Sequence, residues 1–117
     1  MKIQKWLGVA LCVAAAGWSA AATAEVKLHP VVIELDNPSG VGAHGKSGHI
    51  FVTARTGVYR YDPKSGKVMF EVKGFPTDIY GKGPKYNIGP LGLAFLGDDR
   101  IVIGDGSLPD SKEIVRI

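Results

Sequence analysis

From Pro30 onward, glycine or proline interrupts this chain every few residues, so no window carries an uninterrupted 3.6-residue apolar period. That pattern excludes a helical bundle and leaves short extended segments joined by turns. β-Branched and aromatic runs fill the gaps. Strands are expected at Val31 to Leu35, Gly40 to Ala43, His49 to Ala54, Val58 to Tyr61, Val68 to Val72, Leu91 to Phe95, Arg100 to Ile103 and Glu113 to Ile117. Between two of them, Asp62-Pro63-Lys64-Ser65-Gly66-Lys67 has hairpin chemistry, with proline fixing one φ and glycine supplying a positive one. Gly97-Asp98-Asp99 is a second turn.

The strands recur in order. Val31-Val32-Ile33-Glu34-Leu35 resembles Val68-Met69-Phe70-Glu71-Val72, and Gly40-Val41-Gly42-Ala43 resembles Pro90-Leu91-Gly92-Leu93. His49-Ile50-Phe51-Val52 then matches Arg100-Ile101-Val102-Ile103, and Val58-Tyr59-Arg60-Tyr61 matches Ile114-Val115-Arg116-Ile117. Gly42 and Gly92 are 50 residues apart, Tyr61 and Ile117 56. Four short strands at such a period are the mark of a β-propeller blade, a four-stranded antiparallel sheet.

Ahead of the repeat lies an export segment. Lys2 and Lys5 make a positive start, Trp6 to Ala16 is apolar, and small residues lead into Ala22-Thr23-Ala24, so residues 1–24 read as a signal peptide cleaved after Ala24. A membrane anchor needs about 20 unbroken apolar residues, and Gly17, Ser19 and Thr23 break this run. Cys12 lies inside the apolar stretch rather than after the small residue that precedes a lipidated cysteine. Cleavage removes both tryptophans and the only cysteine, and 12 basic residues then face 11 acidic ones, so the net charge falls from +3 to +1. The mature chain, periplasmic or extracellular, is expected to have no disulfide, no membrane attachment and no basic stripe for nucleic acid.

Three segments together resemble a known family: Asn37-Pro38-Ser39-Gly40-Val41-Gly42, Gly48-His49-Ile50-Phe51-Val52-Thr53 and Gly57-Val58-Tyr59-Arg60-Tyr61-Asp62-Pro63-Lys64-Ser65-Gly66. They are similar to a blade of the NHL and gluconolactonase-like six-bladed propellers. The resemblance implies an all-β fold: a closing strand at about 31–35, a first blade at about 40–72 and a second, incomplete blade at about 90–117. Residues 25–117 number 93, about two blades where a propeller has at least four. The expectation is therefore an incomplete propeller, the N-terminal piece of a longer protein or a fragment that oligomerises.

The resemblance also implies a working face, on which outer-to-inner and second-to-third strand loops converge. These are Asp36 to Ser39, Ala54 to Gly57 and the long connection Lys73 to Gly89, with Gly104 to Lys112 beside them. Asn37, Arg55, Asp78, Tyr80, Lys82, Lys85, Tyr86 and Asn87 are the expected binding residues, since aromatic and charged groups on a glycine-rich loop suit a small polar ligand or a protein partner. Hydrolytic relatives hold a divalent cation such as calcium with carboxylate and amide oxygens, which hard cations favour. Asn37 and Asp105 are the nearest candidates, but Asp36-Asn37 stands where those enzymes carry a glutamate. For Asp105, between Gly104 and Gly106, a turn role is the competing reading.

One further motif fits a pattern. Gly40-Val41-Gly42-Ala43-His44-Gly45-Lys46-Ser47 matches the phosphate-binding loop G-x-x-x-x-G-K-[ST], which would assign nucleotide contacts to Gly45, Lys46 and Ser47. Such a loop must open a helix, whereas Gly48 and an alternating run follow here. His29, His44 and His49 have no partner at metal-ligand spacing, and no G-x-S-x-G elbow surrounds any serine. Phe51, Tyr59, Tyr61 and Phe95 alternate with polar residues, as packing between blades requires. Two classes of function stay open: a binding or interaction module, which is preferred, and a metal-dependent lactonase-like hydrolase.

Overall fold

The computed structural model describes residues 23–117. The signal peptide expected over 1–24 lies, apart from its last two residues, outside the described residues. Within them the fold is all-β and antiparallel, with no helix. β1 (Gly40–Ala43), β2 (Ile50–Ala54), β3 (Gly57–Asp62) and β4 (Lys67–Val72) form a four-stranded meander in sequence order. β5 (Asp78–Tyr80) and β6 (Tyr86–Ile88) form a separate hairpin, and β7 (Pro90–Leu96), β8 (Arg100–Asp105) and β9 (Ile114–Arg116) form a three-stranded sheet.

The turns follow their chemistry. Between β3 and β4, Gly66 takes φ +70° and its N–H donates to the Asp62 carbonyl at 2.8 Å. The Asp62 carboxylate accepts from the Lys64 N–H at 2.8 Å and the Ser65 hydroxyl at 2.7 Å, and these bonds hold its pKa below the ordinary value.

The two larger sheets pack with β1 and β2 against β7. Close approach depends on the glycines of β1: a Cβ on Gly40 would stand 2.5 Å from the Leu91 carbonyl oxygen and 2.8 Å from Thr53 Oγ1. Thr53 is fully buried there, and its hydroxyl bridges to the Leu91 carbonyl. The core is small: Phe51, Val58 and Ile103, with Val72, Phe75, Leu93, Phe95 and Ile101 packed around them. The rings of Phe51 and Phe95 meet edge to face at 5.0 Å between the sheets, as expected.

Tyr59 and Tyr61 do not join that core. The register places Val41, Val52, Tyr59 and Phe70 in one row across all four strands, and Ala43, Ile50, Tyr61 and Val68 in the next, on the face opposite Phe51 and Thr53. Tyr59 stacks on Phe70 at 4.5 Å, and a bulge at Val58/Tyr59 lets Val58 and Val72 face the core while Phe70 faces away. Val41 keeps 70% of its surface exposed and Val68 45%, so this apolar face is uncovered among the described residues.

One expected strand is corrected. Residues 31–35 carry no ladder pairing, and Glu34 takes φ +60°, outside the extended region. A β-branched run without a neighbouring edge to bond leaves its N–H and C=O groups to water, and propensity alone does not straighten it.

Candidate functional site

The loops expected to converge do so at one end of the stacked sheets. The Arg55 N–H donates to the Asp36 carbonyl at 2.8 Å, and the Arg55 guanidinium pairs with the Asp36 carboxylate. This double tie fastens the segment before β1 to the β2–β3 turn. Asn37, the next residue, takes φ +45°, a conformation that asparagine tolerates better than most residues. Its carboxamide Nδ2 then donates to the Asn87 carbonyl at 2.7 Å, which joins the segment to the β5–β6 hairpin.

Ser39 and Gly89 complete the junction. The Ser39 N–H donates to the Thr53 carbonyl at 3.0 Å and its hydroxyl to the Pro90 carbonyl at 2.9 Å. Gly89 is buried against Arg55 so closely that a Cβ would stand 2.0 Å from the Arg55 carbonyl oxygen. Only glycine permits that approach.

A cleft of about 560 Å³ opens between this junction and the loop after β8. Asn37, Pro38 and Ser39 form one wall; Tyr80, Tyr86, Ile88 and Gly89 another; Leu91, Gly106, Asp110 and Glu113 close it. The hairpin positions both tyrosines because Tyr80 and Tyr86 are directly paired, and their rings meet edge to face at 5.8 Å. The connection from Lys73 to Gly89, expected to be open, thus contains a hairpin. Its signal is the short alternation Asp78-Ile79-Tyr80 and Tyr86-Asn87-Ile88 around Gly81, Gly83 and Pro84.

Of the expected binding residues, Asn37, Tyr80 and Tyr86 line the cleft. Arg55 and Asn87 hold the walls through the bonds above. Asp78 is half-buried at the base of the hairpin opposite Ile88, and Lys82 and Lys85 are exposed on its turn, outside the lining. Asp110, in the Gly104 to Lys112 loop expected beside the face, and Glu113, at the head of the expected last strand, also line the cleft, although neither is among the expected binding residues.

Asp105, one of the two metal candidates, has no carboxylate oxygen free for a cation. Asp105 Oδ1 accepts from the Ser107 N–H at 3.0 Å and from the Ser107 hydroxyl, and Oδ2 accepts from Arg116 Nε at 2.6 Å. Burial alone raises its pKa, but the bonds from Ser107 and Arg116 outweigh it and hold the carboxyl below the ordinary value. Both oxygens of Asp105 are committed within the protein, while Asn37 donates its amide nitrogen to the Asn87 carbonyl. Among the described residues no group of three or more His, Cys, Asp or Glu is placed to hold a metal ion.

The nucleotide motif has the wrong surroundings too. Gly40 to Ala43 is β1, Gly45, Lys46 and Ser47 form the turn into β2, and the following segment is antiparallel strand rather than helix. The Ser47 hydroxyl bonds His44 Nδ1 at 2.7 Å, and Lys46 reaches Asp98 at 3.4 Å on the surface. No helix among the described residues is long and apolar enough to cross a membrane. Comparison with family models, with curated proteins and with solved structures finds no match to this chain.

Proposed function

We propose that this chain is part of an exported β-propeller whose end cleft binds a small ligand. The observation that carries the binding reading is the convergence of three chain segments, before β1, at β5–β6 and after β8, around one cleft of ligand size, about 560 Å³. Ligand pockets concentrate where loops meet on a rigid scaffold, and these loops are tied down by Asn37, Ser39 and Arg55.

The propeller reading draws support from the stacking of two antiparallel sheets with their first strands, β1 and β7, side by side. It also draws support from the apolar row Val41, Val52, Tyr59 and Phe70 on the far face, which suits a further sheet supplied by any chain. Export rests on the basic start, apolar stretch and Ala22-Thr23-Ala24 of the N-terminus.

The hydrolase alternative has less support, because both carboxylate oxygens of Asp105 are bonded within the protein. Titration of the isotope-labelled full chain with a panel of small amines, carboxylates, alcohols and sugars tests binding. Amide shifts clustering at Asn37, Tyr80 and Tyr86 are expected with at least one compound. A flat response across the panel would overturn the proposal.

A further inference from the structure

The cleft has a chemical preference that its shape alone does not reveal. Its lining holds two carboxylates, Asp110 and Glu113, and no lysine or arginine, in a chain whose formal charge is +3. Neither carboxylate has an ion-pair partner among the described residues, although Asp36, Asp98, Asp99, Asp105 and Glu71 each pair with a basic group. Lys112, between them in sequence, is exposed and outside the lining, as are Lys82 and Lys85 on the hairpin turn.

The same lining holds two tyrosines. Tyr80 is 51% exposed and Tyr86 49%, and their edge-to-face packing at 5.8 Å and 68° turns the two ring faces in different directions. Aromatic faces are electron-rich and attract a cation, most strongly one whose charge is spread over methyl groups and is cheap to desolvate. Leu91 and Ile88 add apolar surface for a hydrocarbon body. The cleft thus combines two carboxylates, two aromatic rings and the apolar side chains of Ile88 and Leu91.

We propose that the cleft takes a small organic ammonium ion, a reading that rests on the ligand-binding function above. The carboxylates of Asp110 and Glu113 neutralise its charge, Tyr80 and Tyr86 contact its alkyl groups, and Leu91 receives its apolar end. An anion is repelled by the same carboxylates, and a neutral alcohol of the same shape gains only the apolar contacts.

Three probes of one shape separate these terms: choline, its neutral carbon isostere 3,3-dimethylbutan-1-ol, and the anion 3,3-dimethylbutanoate. In amide-shift titrations of the full chain, choline is expected to perturb Tyr80, Tyr86 and Glu113 and to bind about tenfold more tightly than the alcohol, with no shift from the anion. Asp110→Asn and Glu113→Gln are expected to weaken choline about fivefold each and to leave the alcohol unchanged. Both side chains are exposed, and a dispersed amide spectrum confirms that each variant folds. If the alcohol or the anion binds the cleft as tightly as choline, the cationic preference is overturned while ligand binding there stands. If none of the three perturbs the cleft, the ammonium assignment falls, and the wider panel decides the binding reading separately.

Discussion

The carboxamide of Asn37 donates to the backbone carbonyl of Asn87 at 2.7 Å, across 50 residues of sequence. This bond ties the segment entering β1 to the β5–β6 hairpin, and Asn37 itself lines the cleft. Asn37→Ala removes the bond and strains a residue at φ +45°, so a loss of about 1 to 2 kcal/mol in urea unfolding is expected. Asn37→Gly relieves the backbone while still losing the bond, and should recover about half of that loss.

Gly89→Ala tests the closest approach in the junction. The added methyl would stand 2.0 Å from the Arg55 carbonyl oxygen, so the hairpin must move away from the β2–β3 turn. A destabilisation of about 2 kcal/mol or more is expected, with amide shifts spreading from Arg55 to Tyr86. Gly45→Ala, where a Cβ meets nothing within 4 Å, is the control and should change stability little.

The Asp105 carboxylate contributes to stability in a pH-dependent way. Its pKa is lowered in the fold from 3.8, so the contribution is complete above that value and is lost as pH falls through the lower, folded one. Urea midpoints should therefore drop below about pH 4, and Asp105→Asn should flatten that acid limb. Arg116→Met removes the guanidinium that bonds a carboxylate with a fully buried side chain and should cost about 2 kcal/mol at neutral pH.

Phe51→Ala should be the most damaging single change. Phe51 belongs to a core cluster with only Val58 and Ile103 fully buried beside it, and truncating a core phenylalanine costs about 3 to 5 kcal/mol. For so small a core that is comparable to the whole stability, and circular dichroism should show loss of the cooperative transition.

Lys46→Met should leave both stability and ligand binding unaltered. The Lys46–Asp98 pair is exposed on both sides, at 72% and 63%, and such pairs contribute under about 1 kcal/mol. A fluorescent ATP analogue should bind neither the parent nor the variant, since the turn lacks a helix to face phosphate.

The strands β2 to β4 were legible because each carries β-branched or aromatic residues and meets a turn with its own chemistry, as at Asp62 to Gly66, whereas β1, half of it glycine, was legible from its match to Pro90-Leu91-Gly92-Leu93. The run from Val31 to Leu35 carried the same propensity yet is irregular, because a strand exists only where an edge accepts it. The β5–β6 hairpin escaped notice for the opposite reason: three residues per strand are too few to establish a period. The cleft was half legible. Tyr80 and Tyr86 stood out as aromatics among glycines, whereas Asp110 and Glu113 acquire their place from the path of the loop after β8, which no local pattern encodes.

The rows of Val41, Val52, Tyr59, Phe70 and of Ala43, Ile50, Tyr61, Val68 give one flat side of the chain the wetting character of an oil film. That side bears on colloidal behaviour: sulfate, which strengthens apolar contact, should drive the chain out of solution at concentrations where chloride does not. Val41→Lys, at a side chain that already stands in water, should raise the sulfate concentration needed without touching the core or the cleft.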